Sequence, residues 1–265
     1  MSTPRDIVRQ ITVVVSAILG IIGVAIGSGA FGGTPTSEVA GGALSADATP
    51  IAPAGPAFSI WSVIYIGLIA YTVWQALPKQ RADERQRRLG YLIAASLLLN
   101  AAWLLTTQAD LLALSVLVIV ALLVVLVLAF RICIAIRPRT VIEGLVVDGT
   151  VGLYLGWVSV ATAANIAAFL TASGFDGFSV SSDVWAVAVL AVAGVVGVLL
   201  AVYGRGRFAP TAALCWGLAW VAVGRLTGDL VSIPAAITAI VAIVAVVVVT
   251  LVRWFGTNAS KPTHA

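Results

Sequence analysis

The sequence predicts an all-α, polytopic integral membrane protein with about eight transmembrane helices, and three observations carry that reading. Of its 265 residues, 61% are hydrophobic and only 10% charged, and the mean hydropathy of +1.09 exceeds what a soluble core of this size requires. Several apolar runs reach the roughly 17–22 residues with which a helix crosses a bilayer. The basic residues, finally, fall almost entirely on one side of those runs. The formal net charge of +4 and the pI of about 9.4 would suit nucleic acid, but charges placed at span ends point to a lipid bilayer as the partner and to no nucleic acid.

The spans read as roughly 11–27, 57–77, 91–107, 111–131, 148–171, 185–203, 208–225 and 233–252. With that count, one side receives every Lys and Arg except Arg225, from Arg5 and Arg9 through Lys79, Arg81, Arg85, Arg87, Arg88, Arg131, Arg137, Arg139, Arg205, Arg207 and Arg253 to Lys261. The other side holds Glu38, Asp47, Asp110, Asp176, Asp183 and Asp229. The positive-inside rule then places both termini in the cytoplasm, and the expected location is a bacterial cytoplasmic (inner) membrane.

Taken in order, the first span follows Arg5 and Arg9 and precedes the small pair Gly29-Ala30, as a signal peptide would. Its core is longer than a signal core, and Gly20, Gly23 and Gly27 suit close approach to another helix, so a retained helix is expected. The segment 28–56 is rich in Gly, Ala, Pro, Ser and Thr without Lys or Arg; both a flexible connector and a lid over a cavity fit it. KQRADERQRR, 79–88, reads first as a topology anchor at anionic headgroups and second as a partner site. Spans three and four form a hairpin through the turn Thr107–Asp110. Cys133 and Cys215 lie in or beside apolar segments and read as small buried hydrophobes rather than a disulfide or metal pair.

Polar residues inside the spans need partners. In span two, Trp61, Tyr65, Leu68, Thr72 and Gln75 recur at helical spacing. Span three repeats this with Ser96, Asn100, Trp103 and Thr107, and span five with Tyr154, Trp157, Val158, Ala161 and Asn165. Trp74, Trp185, Tyr203 and Trp254 fit an interfacial belt, whereas Trp103 and Trp157 sit deeper. Taken singly, Asn100 and Asn165 could be interhelical glue; three stripes together point to a polar-aromatic cavity. The candidate ligand-binding residues are therefore Trp61, Tyr65, Asn100, Trp103, Tyr154, Trp157, Ala161 and Asn165.

These motifs, Phe58-Ser-Ile-Trp61-Ser-Val-Ile-Tyr65, Leu99-Asn100-Ala-Ala-Trp103 and Tyr154-Leu-Gly-Trp157-Val-Ser-Val-Ala161-Thr162-Ala-Ala-Asn165, resemble the TspO/MBR family of tryptophan-rich sensory and translocator proteins. The likeness covers about residues 11–171. It implies a five-helix bundle whose cavity binds flat hydrophobic ligands such as porphyrins and sterols, with Asn100, Trp103, Trp157 and Asn165 in the family signature. The chain departs from that pattern in lacking a Trp-Tyr and Lys-Pro element before span two, in carrying Leu153 where a proline commonly precedes the tyrosine, and in placing Phe58 one residue closer to Trp61. Two domains are expected: 1–171, the five-helix part, and 172–265, a three-helix extension outside the likeness.

In that extension Ala193, Gly197 and Ala201 form a small-residue stripe, Trp216 and Trp220 either extend an aromatic wall or pack in core or lipid, Arg225 and Asp229 are spaced to pair, and Pro234 suits a first helical turn. The single histidine, His264, lies in the tail, so no buried imidazole can act as base, metal ligand or usual haem ligand. No Cys, His or carboxylate cluster has metal spacing, and no phosphate-cradling loop is present. The expected function is a membrane-embedded sensor or carrier for a flat hydrophobic ligand, a tetrapyrrole or a sterol-like lipid. No cofactor is required, a porphyrin is the expected guest, and a homodimer is an open assembly. Alternatives are a secondary transporter, disfavoured by the lack of a mid-span carboxylate, and a light-dependent porphyrin-degrading enzyme.

Overall fold

The computed structural model describes residues 3–28 and 38–259. Residues 29–37 of the segment 28–56, with the pair Gly29-Ala30, and the tail residues Lys261 and His264 lie outside the described residues. Eight helices among the described residues are long and apolar enough to cross a membrane. They are α1 (Pro4–Gly27), α2 (Ile60–Ala76), α3 (Glu84–Gln108), α4 (Leu112–Ala135), α5 (Val141–Ala172), α6 (Ser182–Tyr203), α7 (Phe208–Thr227) and α8 (Ile233–Ala259). All eight expected spans are present. Several begin earlier than the apolar runs, because charged first turns such as Glu84–Arg88 still continue the helix.

Contacts divide the chain into two compact units: residues 1–45 with 59–151, and residues 46–58 with 152–265. The boundary falls inside α5, between Val151 and Gly152.

In the first unit, α1 packs along α3, and α3 and α4 form the expected hairpin. Its turn is closed by Asp110 in the left-handed region (φ 57°). The glycine face of α1 sets the approach: a Cβ on Gly23 would lie 2.7 Å from Ala101 Cβ, and one on Gly27 2.7 Å from Leu104 Cβ. In lipid, helices gain little from burying apolar surface against one another, so such close contact is the main source of association. The opposite faces, with Ile18, Ile22, Leu117 and Val124, are exposed, as lipid-facing surface should be.

In the second unit, α6, α7 and α8 pack together around Leu190, Leu214, Leu218, Ala239 and Val246. Gly156 of α5 meets the chain at Pro210, where an added Cβ would collide with the backbone carbonyl, and Gly217 of α7 faces Val160. On α6 the close contacts fall to Gly194 and Gly197, facing Ala242 and Val246, with Ala201 buried further along. Residues 46–58 form a strap along α7: Ala54 N–H donates to Trp220 O at 3.1 Å, and the Trp216 indole donates to Ala57 O at 2.9 Å. The expected Arg225–Asp229 pair does not form. Helix α7 ends at Thr227, which takes Asp229 off its surface, and the fully buried Arg225 instead donates to Ala46 O at 2.6 Å, with Asp47 Oδ1 at 3.5 Å.

Candidate ligand-binding site

In the first unit the structure brings three predicted residues together. Trp61 and Tyr65, one turn apart on α2, stack with ring centroids 5.4 Å apart and an interplanar angle of 18°. Asn100 of α3 donates from its amide nitrogen to the Tyr65 hydroxyl at 2.7 Å. The Asn100 side chain is buried, and its carbonyl oxygen has no hydrogen-bond partner among the described residues. Beside Tyr65 and Asn100, Ala17, Gly20, Val24 and Leu68 enclose a cavity of about 10 Å³. That space is at the lower limit for one water. Trp103, one turn beyond Asn100, is buried.

In the second unit Tyr154, Trp157 and Asn165 are all buried on α5, while Ala161 is half-buried. Phe58 of the strap meets Trp157 edge to face, with centroids 5.7 Å apart at 81°. Glycine at position 156 lets α7 approach here, which helps bury Tyr154 and Trp157. The same unit holds a larger cavity of about 340 Å³, walled by strap residues Thr49–Ile51, the end of α5 at Leu170, the following loop at Phe175, and Trp185 and Ala186 of α6. Trp185, read from sequence as an interfacial belt residue, lines this cavity and donates its indole N–H to Gly177 O at 3.0 Å.

A charged cluster at the start of α3 was not anticipated from the sequence, where 79–88 reads as a headgroup anchor or a partner site. Arg85 is buried and bridges Glu143, at 2.9 Å, and Asp148 of α5. These two carboxylates are five residues apart. On a regular α-helix they would point about 140° away from each other. The π-helical turn Gly144–Gly149 widens the helix between them, and an i→i+5 repeat brings them to one face. Around this bridge, Asp83 caps α3 by accepting from Gln86 N–H at 3.0 Å and pairs with Arg139 at 2.9 Å. Asp6 binds Arg87 through two contacts of 2.6 and 2.7 Å. Arg9, also buried, donates to the carbonyls of Gln80 and Arg81 at 3.2 and 3.3 Å. Gln10 and Gln75 exchange side-chain-to-backbone bonds of 2.6 and 3.2 Å. The signal that could have found the bridge is the charge of Glu143 and Asp148 just before an apolar run, opposite a basic segment.

Compared with known proteins, the chain matches the sequence model of the family described as TSPO-like protein over residues 10–251. The match therefore runs past residue 171, where the sequence likeness was bounded, and through α6, α7 and most of α8. No curated protein and no solved structure matches the chain.

Proposed function

The chain belongs to the TSPO-like family, and from that premise we propose that it is a membrane-embedded binding protein, a sensor or carrier for a flat hydrophobic ligand such as a tetrapyrrole or a sterol-like lipid. The observation that carries the reading is the Trp61–Tyr65–Asn100 group, in which stacked rings adjoin a buried amide with an unused acceptor. Aromatic faces suit a planar guest, and a single amide oxygen can orient it through a ring N–H or hydroxyl donor. The adjoining cavity is small, so accommodating a tetrapyrrole requires α1 and α2 to separate there. Titration of the full chain with protoporphyrin tests the reading: tryptophan emission should be quenched saturably, and Trp61→Phe with Trp103→Phe should remove most of the quenching. Loss of quenching with Trp185→Phe and Trp254→Phe instead would move the ligand elsewhere.

A second reading, secondary transport, draws support from the buried Arg85–Glu143–Asp148 bridge, since ionisable groups inside membrane helices commonly mark ion or proton pathways. Uptake of a candidate solute by vesicles that responds to an imposed proton gradient would favour it. Both readings place the termini in the cytoplasm. After Cys133→Ala and Cys215→Ala, an impermeant thiol reagent should label Ser173→Cys in intact cells and leave Lys79→Cys unlabelled.

A further inference from the structure

We propose that the second unit carries a separate ligand site, the cavity of about 340 Å³ beneath the strap, built for a one- or two-ring aromatic cation. Size sets the first limit. A cavity of about 150 Å³ accepts benzene, so this one accommodates about two such rings as it stands, with no separation of helices.

The lining sets the chemistry. Phe175 and Trp185 stand at the wall with ring centroids 6.1 Å apart at 65°, and the Trp185 N–H bond to Gly177 O fixes the indole. Aromatic rings attract cations as well as other rings. Asp176 is the one ionisable residue among the described lining residues. It is exposed at the mouth, where its Oδ1 accepts from the Phe178 N–H at 2.9 Å. A positive group at the entrance is thus favoured and a negative one disfavoured.

Deeper in, Thr49 is only 3% exposed, and its hydroxyl has no hydrogen-bond partner among the described residues. A buried hydroxyl left unpaired is destabilising, and Thr49 is among the residues that line the cavity. The wall that holds Thr49 is a built one. The strap is tied to α7 by the Ala54–Trp220 backbone bond, the Trp216–Ala57 bond and the buried Arg225 at Ala46.

The test uses the full chain in phosphatidylcholine nanodiscs and equilibrium dialysis with three probes of matched size: 2-naphthylmethylammonium, 2-naphthylmethanol and 2-naphthylacetate. The cation should bind saturably at one per chain, more tightly than the alcohol and far more tightly than the anion. Asp176→Asn should weaken the cation by about fivefold and leave the alcohol unchanged. Ala167→Leu, which fills the cavity, should abolish saturable binding of all three. Equal affinity for the three probes, or cation binding untouched by Ala167→Leu, would overturn the proposal in favour of simple partition into lipid. The probe series on the native chain decides the matter even where a variant does not fold.

Discussion

At the scale of single residues, the bridge centred on Arg85 is the most consequential feature. Its guanidinium is buried with Glu143, and Asp148 closes the other arm. Desolvating such charges is costly, and the bridge is stable because each charge has its opposite within reach. Removing one partner exposes that cost. Arg85→Met is expected to destabilise the protein by about 3–5 kcal/mol, read as a lowered midpoint of thermal unfolding in detergent. Combining it with Glu143→Gln and Asp148→Asn should recover most of the loss. Arg88→Met breaks only the exposed pair with Glu84 and should change stability by less than about 1 kcal/mol. If Arg85→Met unfolds with the native midpoint, the bridge is not holding α3 to α5. This site was illegible in sequence for a physical reason. Basic residues at a span end serve headgroup contact and internal pairing equally well, and no periodicity rule anticipates a π-turn that turns Glu143 and Asp148 to one side.

At the scale of elements, the spans were legible because bilayer thickness imposes a length on each apolar run, and the Gly20, Gly23 and Gly27 spacing correctly implied a helix contact for α1. The aromatic-amide stripes were partly legible. Helical spacing grouped Trp61 with Tyr65, and the Asn100 bond to Tyr65 joined two of the stripes. Which residues enclose space was not legible, because cavity walls come from contacts between distant segments, such as the strap and α6. The glycines allow a graded test. A Cβ at Gly156 would collide with the Pro210 carbonyl, whereas one at Gly20 would lie 3.2 Å from Leu97 O and one at Gly256 would meet nothing within 4 Å. Gly156→Ala should therefore lower the unfolding midpoint strongly, by at least the roughly 1–3 kcal/mol of an overpacked core. Gly20→Ala should cost less. Gly256→Ala should be neutral or stabilising by up to about 1 kcal/mol, since alanine favours an open helical position. An unchanged midpoint for Gly156→Ala would mean that α5 and α7 do not meet as closely as described.

At the scale of the whole molecule, the open matter is how far residues 1–171 stand alone. The family match extends to residue 251, and the contact boundary falls at 151/152 rather than at the loop after α5. A chain cut after residue 171 keeps α1–α5 unbroken. It retains the Gly23 and Gly27 contacts with α3 and the Arg85 bridge, all within the first unit. It loses Pro210, Ala213 and Gly217, the neighbours of Gly152, Gly156 and Val160 on the later part of α5. Because helix association in lipid depends on such contacts, that half of α5 would be left with an unfilled small-residue face. Residues 1–171 expressed alone should therefore insert and keep the α1–α3 packing, yet unfold at a lower temperature and tend to self-associate. Co-expression with 172–265 should restore the native midpoint and a single monodisperse species, because the missing contacts are supplied in trans without rejoining the chain. A fragment as stable and monodisperse as the full protein would make 1–171 a self-sufficient module. Failure of co-expression to restore stability, with both fragments inserted, would show that the covalent link after α5 is itself required.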